Sequence, residues 1–162
     1  MAVSAQDIVN SARKLLRAPF RLWQPGQLIP LWLNDGQGDP PPVAHLLSVG
    51  VSSTDLINFA LRDNGLPAIG GTAAMPDNLL NRFRFDPADP GQPGAVAIKG
   101  YEGAGIGHQG HAILYIEDGH KVIQAIYDPG VTDEYTDQWL YAWGGDFAFE
   151  WYGFLPGVEY PS

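Results

Sequence analysis

The 162-residue chain contains no cysteine. That excludes disulfides, thiolate metal sites and thiol catalysis by the chain as it is written. Basic residues are few: nine Lys and Arg stand against 18 Asp and Glu, a formal net charge of −9. Nucleic acid is therefore not an expected partner, because phosphate recognition needs a basic footprint. Unaided adhesion to an anionic membrane or wall is disfavoured for the same reason. No apolar run approaches membrane-spanning length, and the N-terminus has no charged-then-apolar signal pattern. The expectation is a product made in the cytoplasm without a signal peptide and without membrane insertion.

Glycine and proline, by contrast, are abundant, at 20 and 14 residues, so much of the chain is turn and loop. The length suits one domain, 1–162, with a sizeable core. A monomer is expected. Ser4 to Asp7 reads as a capped helix start, followed by Ile8, Val9, Ala12, Leu15 and Leu16 at helical spacing until Pro19. Phe20 to Trp32, broken by Pro25, Gly26 and Pro30, reads as an ordered loop, and 34–42 as an exposed one. Val43 to Val49 suits a short helix, and Leu79 to Phe85 a short helix or turn.

From Ala95 the pattern changes. Ala95 to Ile98 is a short apolar run, and His111 to Ile116 reads as a buried strand. Glu117-Asp118-Gly119 is a hairpin turn and His120 to Ile126 the returning strand. Thr136 to Trp143 suits a helical turn, and Phe147 to Phe154 a last strand. Helices first and an antiparallel sheet after is the α+β order.

The most informative stretch is Gly50 to Leu61. Leu56, Ile57, Phe59, Ala60 and Leu61 are too crowded for a one-sided surface helix, so the helix is buried. Ser52, Ser53 and Thr54 stand at its start and Asn64-Gly65 at its stop. These residues describe a well-capped core helix. They also describe a helix end whose free N–H groups favour an anionic nucleophile or an oxyanion. A base for such a nucleophile is available in His111, with Gln124 on the next strand placed to orient its ring. His111 can equally be a satisfied histidine at a sheet edge. His108, His111 and His120 invite a metal reading, but His108-Gln-Gly-His111 lacks the Glu and the helix of the zinc-protease pattern. Gly103 to Gly107 is followed by no Gly-Lys-Ser/Thr and is not a phosphate loop. No metal and no cofactor are expected.

Several stretches in order resemble the NlpC-type cell-wall cysteine peptidases, papain-like enzymes that cut peptidoglycan stem peptides. The resemblance is strongest to the N-terminal peptidase domains of endolysins from phages of mycobacteria. It rests on Ala18-Pro-Phe-Arg-Leu-Trp23, Gly50-Val-Ser-Ser-Thr-Asp-Leu56, Pro93-Gly-Ala-Val-Ala97, Gly110-His-Ala-Ile-Leu-Tyr-Ile-Glu-Asp-Gly119 and Val122-Ile-Gln-Ala125. It covers about Ala12 to Ala125. It implies a papain-like α+β domain, N-terminal helices on a small antiparallel sheet, that hydrolyses a peptide or amide bond of bacterial peptidoglycan. The implied catalytic positions are Ser53, His111 and Gln124. Ser52, Trp23 and Phe20, with the loop around Gly71 to Met75, fall near the oxyanion and groove positions. Action on the wall after release by another factor is implied as well, with a separate wall-binding domain in a longer parent where one exists.

Two departures stand out. Ser53 occupies the position of the family's nucleophilic cysteine, and Phe20 that of a frequent tyrosine. A thiol beside histidine and a helix N-terminus ionises; a serine hydroxyl there does not. The serine fits a Cys-to-Ser replacement that inactivates the enzyme, which the intact remainder of the pattern favours, or a natural serine variant. Three other functions compete: a catalytically inactive peptidoglycan-binding module, a metal-dependent amidase using the histidines, and a structural phage protein.

Overall fold

The computed structural model describes residues 2–23, 27, 32, 41–72, 74–99, 110–138 and 149–161. Among the described residues three helices come first: α1 (Ala5–Arg13), α2 (Val43–Val49) and α3 (Ser53–Asp63). Ser4 caps α1 through a reciprocal pair with Asp7, as its sequence predicts. The apolar stripe Ile8, Val9 and Ala12 is fully buried, and α1 packs on α3. Asp63, at the end of α3, ties the two together by accepting from Ser11 and Lys14, each at 2.7 Å.

A six-stranded antiparallel sheet follows, in the order β2-β7-β3-β4-β5-β6. Its strands are β2 (Leu80–Arg84), β3 (Val96–Lys99), β4 (His111–Tyr115), β5 (Lys121–Ile126), β6 (Gly130–Thr136) and β7 (Trp151–Phe154). A small parallel pair joins β1 (Val3–Ser4) to β8 (Val158–Glu159). The fold is mixed α+β, with the helices mostly N-terminal.

The two sheet faces bury different clusters. Ala112, Leu114, Ile116, Ile123 and Ala125 face the main core with Leu56, Ile57 and Phe59 of α3. Ala95, Ala97, Ile113, Tyr115, Val122 and Phe149 form a second cluster, with Phe85, Tyr152 and Phe154 against it. Period-two alternation in β3 and β4 makes this division.

Leu80 to Arg84 is a strand, not the expected helix or turn. All five residues are exposed, so the segment carries no buried stripe for either period to register. Pairing decides it: Leu80 lies opposite Phe154 and Phe83 opposite Tyr152, with a bulge at Asn81, whose φ is 50°. The irregular stretch before it holds a 3-10 helix, Met75–Asn78. The helical turn expected from Thr136 begins as the end of β6 and a turn at 137–138; the remainder, 139–143, lies outside the described residues. The edge strand β6 and the β1–β8 pair were not legible in the sequence.

Candidate functional site

Ser53 is the first residue of α3, and Ser52 is its N-cap. Ser52 Oγ accepts from Asp55 N–H at 3.3 Å, while Asp55 Oδ2 accepts from Ser52 N–H at 2.9 Å. The capping box places the Ser52 hydroxyl in the cap, not free to face an oxyanion, and it lies 3.5 Å from Thr54 Oγ1. The backbone N–H of residue 53 sits in the first turn, where no intrahelical acceptor exists. Ser53 is 7% exposed, and among the described residues its hydroxyl has no hydrogen-bond partner.

The approach to the helix is fixed from outside. Val51 bridges Phe20 in parallel, with Val51 N–H donating to Pro19 O and Arg21 N–H to Val51 O. Trp23 Nε1–H donates to Gly50 O at 3.0 Å, and the Arg21 guanidinium lies 4.0 Å from the Trp23 ring centroid. Trp23 thus flanks the turn into α3. The Phe20 ring packs on the exposed Tyr127 at 5.0 Å. Gly50 itself has φ +96°, and a Cβ there would lie 2.5 Å from Pro19 O, so only glycine lets the two backbones meet this closely.

His111 opens β4, the strand on which α3 packs, and Gln124 lies in β5, which α3 also touches. The register Leu114–Ile123 and Tyr115–Val122 makes them diagonal neighbours on one face, not directly opposite partners. Their side chains meet: His111 Nε2 is 2.7 Å from Gln124 Oε1. A carbonyl oxygen only accepts, so Nε2 carries the proton and Nδ1 is left with its lone pair. Burial lowers the His111 pKa, against a smaller upward pull from Gln124, so the ring is neutral at neutral pH. The ring also stacks on Phe149 at 5.9 Å. Gln124 Nε2 is buried with no partner among the described residues. Alternation points His111 with Ile113 and Tyr115, toward the second cluster, at the end of the strand rather than its middle.

Asn58 and Thr72 join the site without having been singled out in the sequence. Asn58, fully buried one turn beyond Thr54, donates to Gly70 O at 3.0 Å and accepts from Ile69 N–H at 2.9 Å. Asn78 holds the same loop by donating to Ile69 O. Thr72 in turn packs directly on the Cα of Gly110, the residue before His111. A chain of contacts therefore runs from α3 through the 69–72 loop to the start of β4. A polar residue inside the apolar run of α3 was the available signal for Asn58; nothing local marks Thr72. Of the loop named as a groove wall, Gly71, Thr72, Ala74 and Met75 are described.

His120 lies at the far end of the β4–β5 hairpin from His111, and its Nδ1 is 2.9 Å from Asp137 Oδ1. Asp137 also accepts from the Tyr115 hydroxyl at 2.6 Å. His111 and His120 are thus engaged at opposite ends of a five-residue strand and do not converge on one ion. His108 lies outside the described residues. Among the described residues no group of three or more His, Asp or Glu side chains is placed to hold a metal.

Compared with protein-family models, with curated proteins and with solved structures, the chain matches none.

Proposed function

We propose that this chain is a papain-like hydrolase domain acting on bacterial peptidoglycan, and that its cysteine form cleaves a peptide or amide bond of the stem peptide. The observation that carries the reading is the His111–Gln124 pair at 2.7 Å, which leaves Nδ1 as the basic nitrogen. A base with a fixed tautomer is half of a nucleophile triad. The other half is residue 53 at the N-terminus of the helix that packs on β4 and β5.

With a thiol at position 53, His111 Nδ1 takes the proton, and the helix end and imidazolium hold the thiolate. The thiolate attacks the scissile carbonyl, and the backbone N–H of residue 53 donates to the oxyanion. His111 then passes its proton to the leaving amine, and water hydrolyses the acyl-enzyme. Gln124 positions the ring throughout. The reading requires the N-terminus of α3 to meet His111 around the end of β4, since the ring points away from the main core. The present serine does not ionise there, so the chain as it stands turns over little or no substrate. Action on the wall follows release by another factor.

The test is the reactivity of the thiol in Ser53→Cys. Iodoacetamide should label it at about pH 6, where an ordinary thiol with pKa near 8.5 reacts slowly. His111→Ala in the same background should abolish the low-pH reactivity. A labelling rate that rises only above about pH 8, with or without His111, contradicts the pairing.

A second reading, a catalytically inactive peptidoglycan-binding module, is favoured by the Ser53 hydroxyl itself. It has no described hydrogen-bond partner to take its proton. Under that reading Ser53→Cys binds peptidoglycan as the parent chain does and cleaves none.

A further inference from the structure

On the sheet face opposite α3 lies a cavity of about 440 Å³, lined by Phe83, Arg84, Phe85, Asp86, Asp89, Pro90, Tyr115 and Tyr152. It shares no residue with the His111–Gln124 pair. Four of its walls are aromatic. Phe83 and Tyr152 are opposite each other in the β2–β7 register, and Tyr115 and Tyr152 meet edge to face at 5.6 Å. Gly91 packs flat on the Tyr115 ring, where a Cβ would collide with it. The rim is the 86–90 loop. It is latched by Gln138 Nε2 donating to Pro87 O at 2.7 Å and by the paired backbone bonds of Gly91 and Gly119.

The hydrogen-bonding capacity of the lining leans toward acceptors. The Tyr115 hydroxyl proton is spent on Asp137, whereas Tyr152 accepts from Gln92 N–H at 3.2 Å and keeps its own proton to donate. Asp86 and Asp89 are exposed carboxylates, and acceptors only. Asp118, at the β4–β5 turn, lies within electrostatic range of the Tyr152 phenol. The one cationic lining residue is turned elsewhere. Arg84 pairs across the strands with Trp151, and its guanidinium lies 4.3 Å from that ring, which Arg82 covers at 4.0 Å. What remains is a pocket of ring surfaces and carboxylates, with the Tyr152 hydroxyl as its one uncharged side-chain donor. The exposed carboxylates repel an anion. A cation with an aliphatic body satisfies both the rings and the acidic rim.

We propose that this cavity binds an alkylammonium group, with Tyr115, Tyr152, Phe83 and Phe85 around its body and Asp86 and Asp89 at its charge. The ammonium belongs either to a free amine or to an amino-acid side chain within a peptide. The site is independent of the hydrolase reading.

The experiment is an NMR titration of the full chain, following the backbone amides of Asp89, Gly91 and Gln92. The probes are 1,5-diaminopentane as a free amine, Nα-acetyl-lysine amide as a peptide-borne one, and 1-pentanol as a neutral control. A saturable shift with either amine supports the site, and the tighter of the two identifies the source. The neutral control should leave these amides unmoved. Asp86→Asn with Asp89→Asn keeps the loop acceptors but removes the charge, and should weaken amine binding about fivefold or more. A Phe83→Ser change, on a half-exposed ring, should weaken it as well without loss of fold, checked by circular dichroism. Equal binding of pentanol, unchanged amine affinity in the double variant, or the absence of any saturable shift overturns the proposal.

Discussion

Gln124 accepts the Nε2 proton of His111 at 2.7 Å, across a diagonal of the β4–β5 ladder. The bond fixes which nitrogen is basic and holds the ring against Phe149. An amide does this without adding charge, so His111 stays neutral in a partly apolar setting.

Gln124→Glu replaces that neutral acceptor by a carboxylate within reach of the imidazole. An opposite charge at this distance favours the protonated ring. The His111 pKa, lowered in the parent chain by burial, should rise above its parent value in the variant. A titration followed by the ring proton resonances measures it. No upward movement would mean that residue 124 does not set the state of His111 in solution.

The same lowered pKa predicts the pH dependence of stability. The unfolded chain binds the His111 proton more readily than the folded one. The contribution is therefore full above the ordinary value of about 6.5 and is lost as pH falls from there toward the lower folded value. Between about pH 7.5 and 5.5 the melting temperature of the parent should fall more than that of His111→Gln. Equal slopes for the two proteins would contradict the buried, neutral histidine.

Backbone placement at the site predicts two losses of stability. Gly50→Ala meets Pro19 O at 2.5 Å with φ at +96°, and should cost about 3 kcal/mol. Asn58→Ala removes two hydrogen bonds to the 69–70 loop and leaves the Ile69 N–H unpaired, at about 2 kcal/mol. Urea unfolding reads both. Values near zero would show that the turn into α3 and the 69–72 loop are not held as described.

How much of this was legible in the sequence follows from the range of the forces involved. The start of α1 and the α3 helix were readable because Ser4, Ser52 and Asn64 act within four residues of their own position. The β4–β5 hairpin was readable because its turn and both apolar strands are contiguous. The strand β2 was not: its five exposed residues owe their conformation to Phe154, Tyr152 and Trp151, some 70 residues away. The His111–Gln124 contact was legible because both residues lie near the open end of one hairpin; the register makes them diagonal cross-strand neighbours. Thr72 against Gly110 depends on two loops meeting, which no local pattern encodes. The hydroxyl of Ser52 illustrates the converse, since local capping claims it before any oxyanion does.

The proposed meeting of residue 53 with His111 has its own observable. If the two adjoin, a thiolate at position 53 stabilises the imidazolium, and the His111 pKa should rise on Ser53→Cys by about a unit or more. The fold should be little changed, since the side chains are close in size and the exchange costs within about 1.5 kcal/mol. An unmoved His111 titration in a folded variant would separate the two residues.

Hydrolysis itself is read by the release of new amines or carboxylates from purified mycobacterial-type peptidoglycan by Ser53→Cys. The cysteine form should release them, alkylation and His111→Ala should abolish the release, Gln124→Ala should reduce it less, and the serine chain should release little or nothing. A folded Ser53→Cys protein that releases nothing from several peptidoglycan types, or a serine chain already fully active and indifferent to alkylation, would contradict the hydrolase reading.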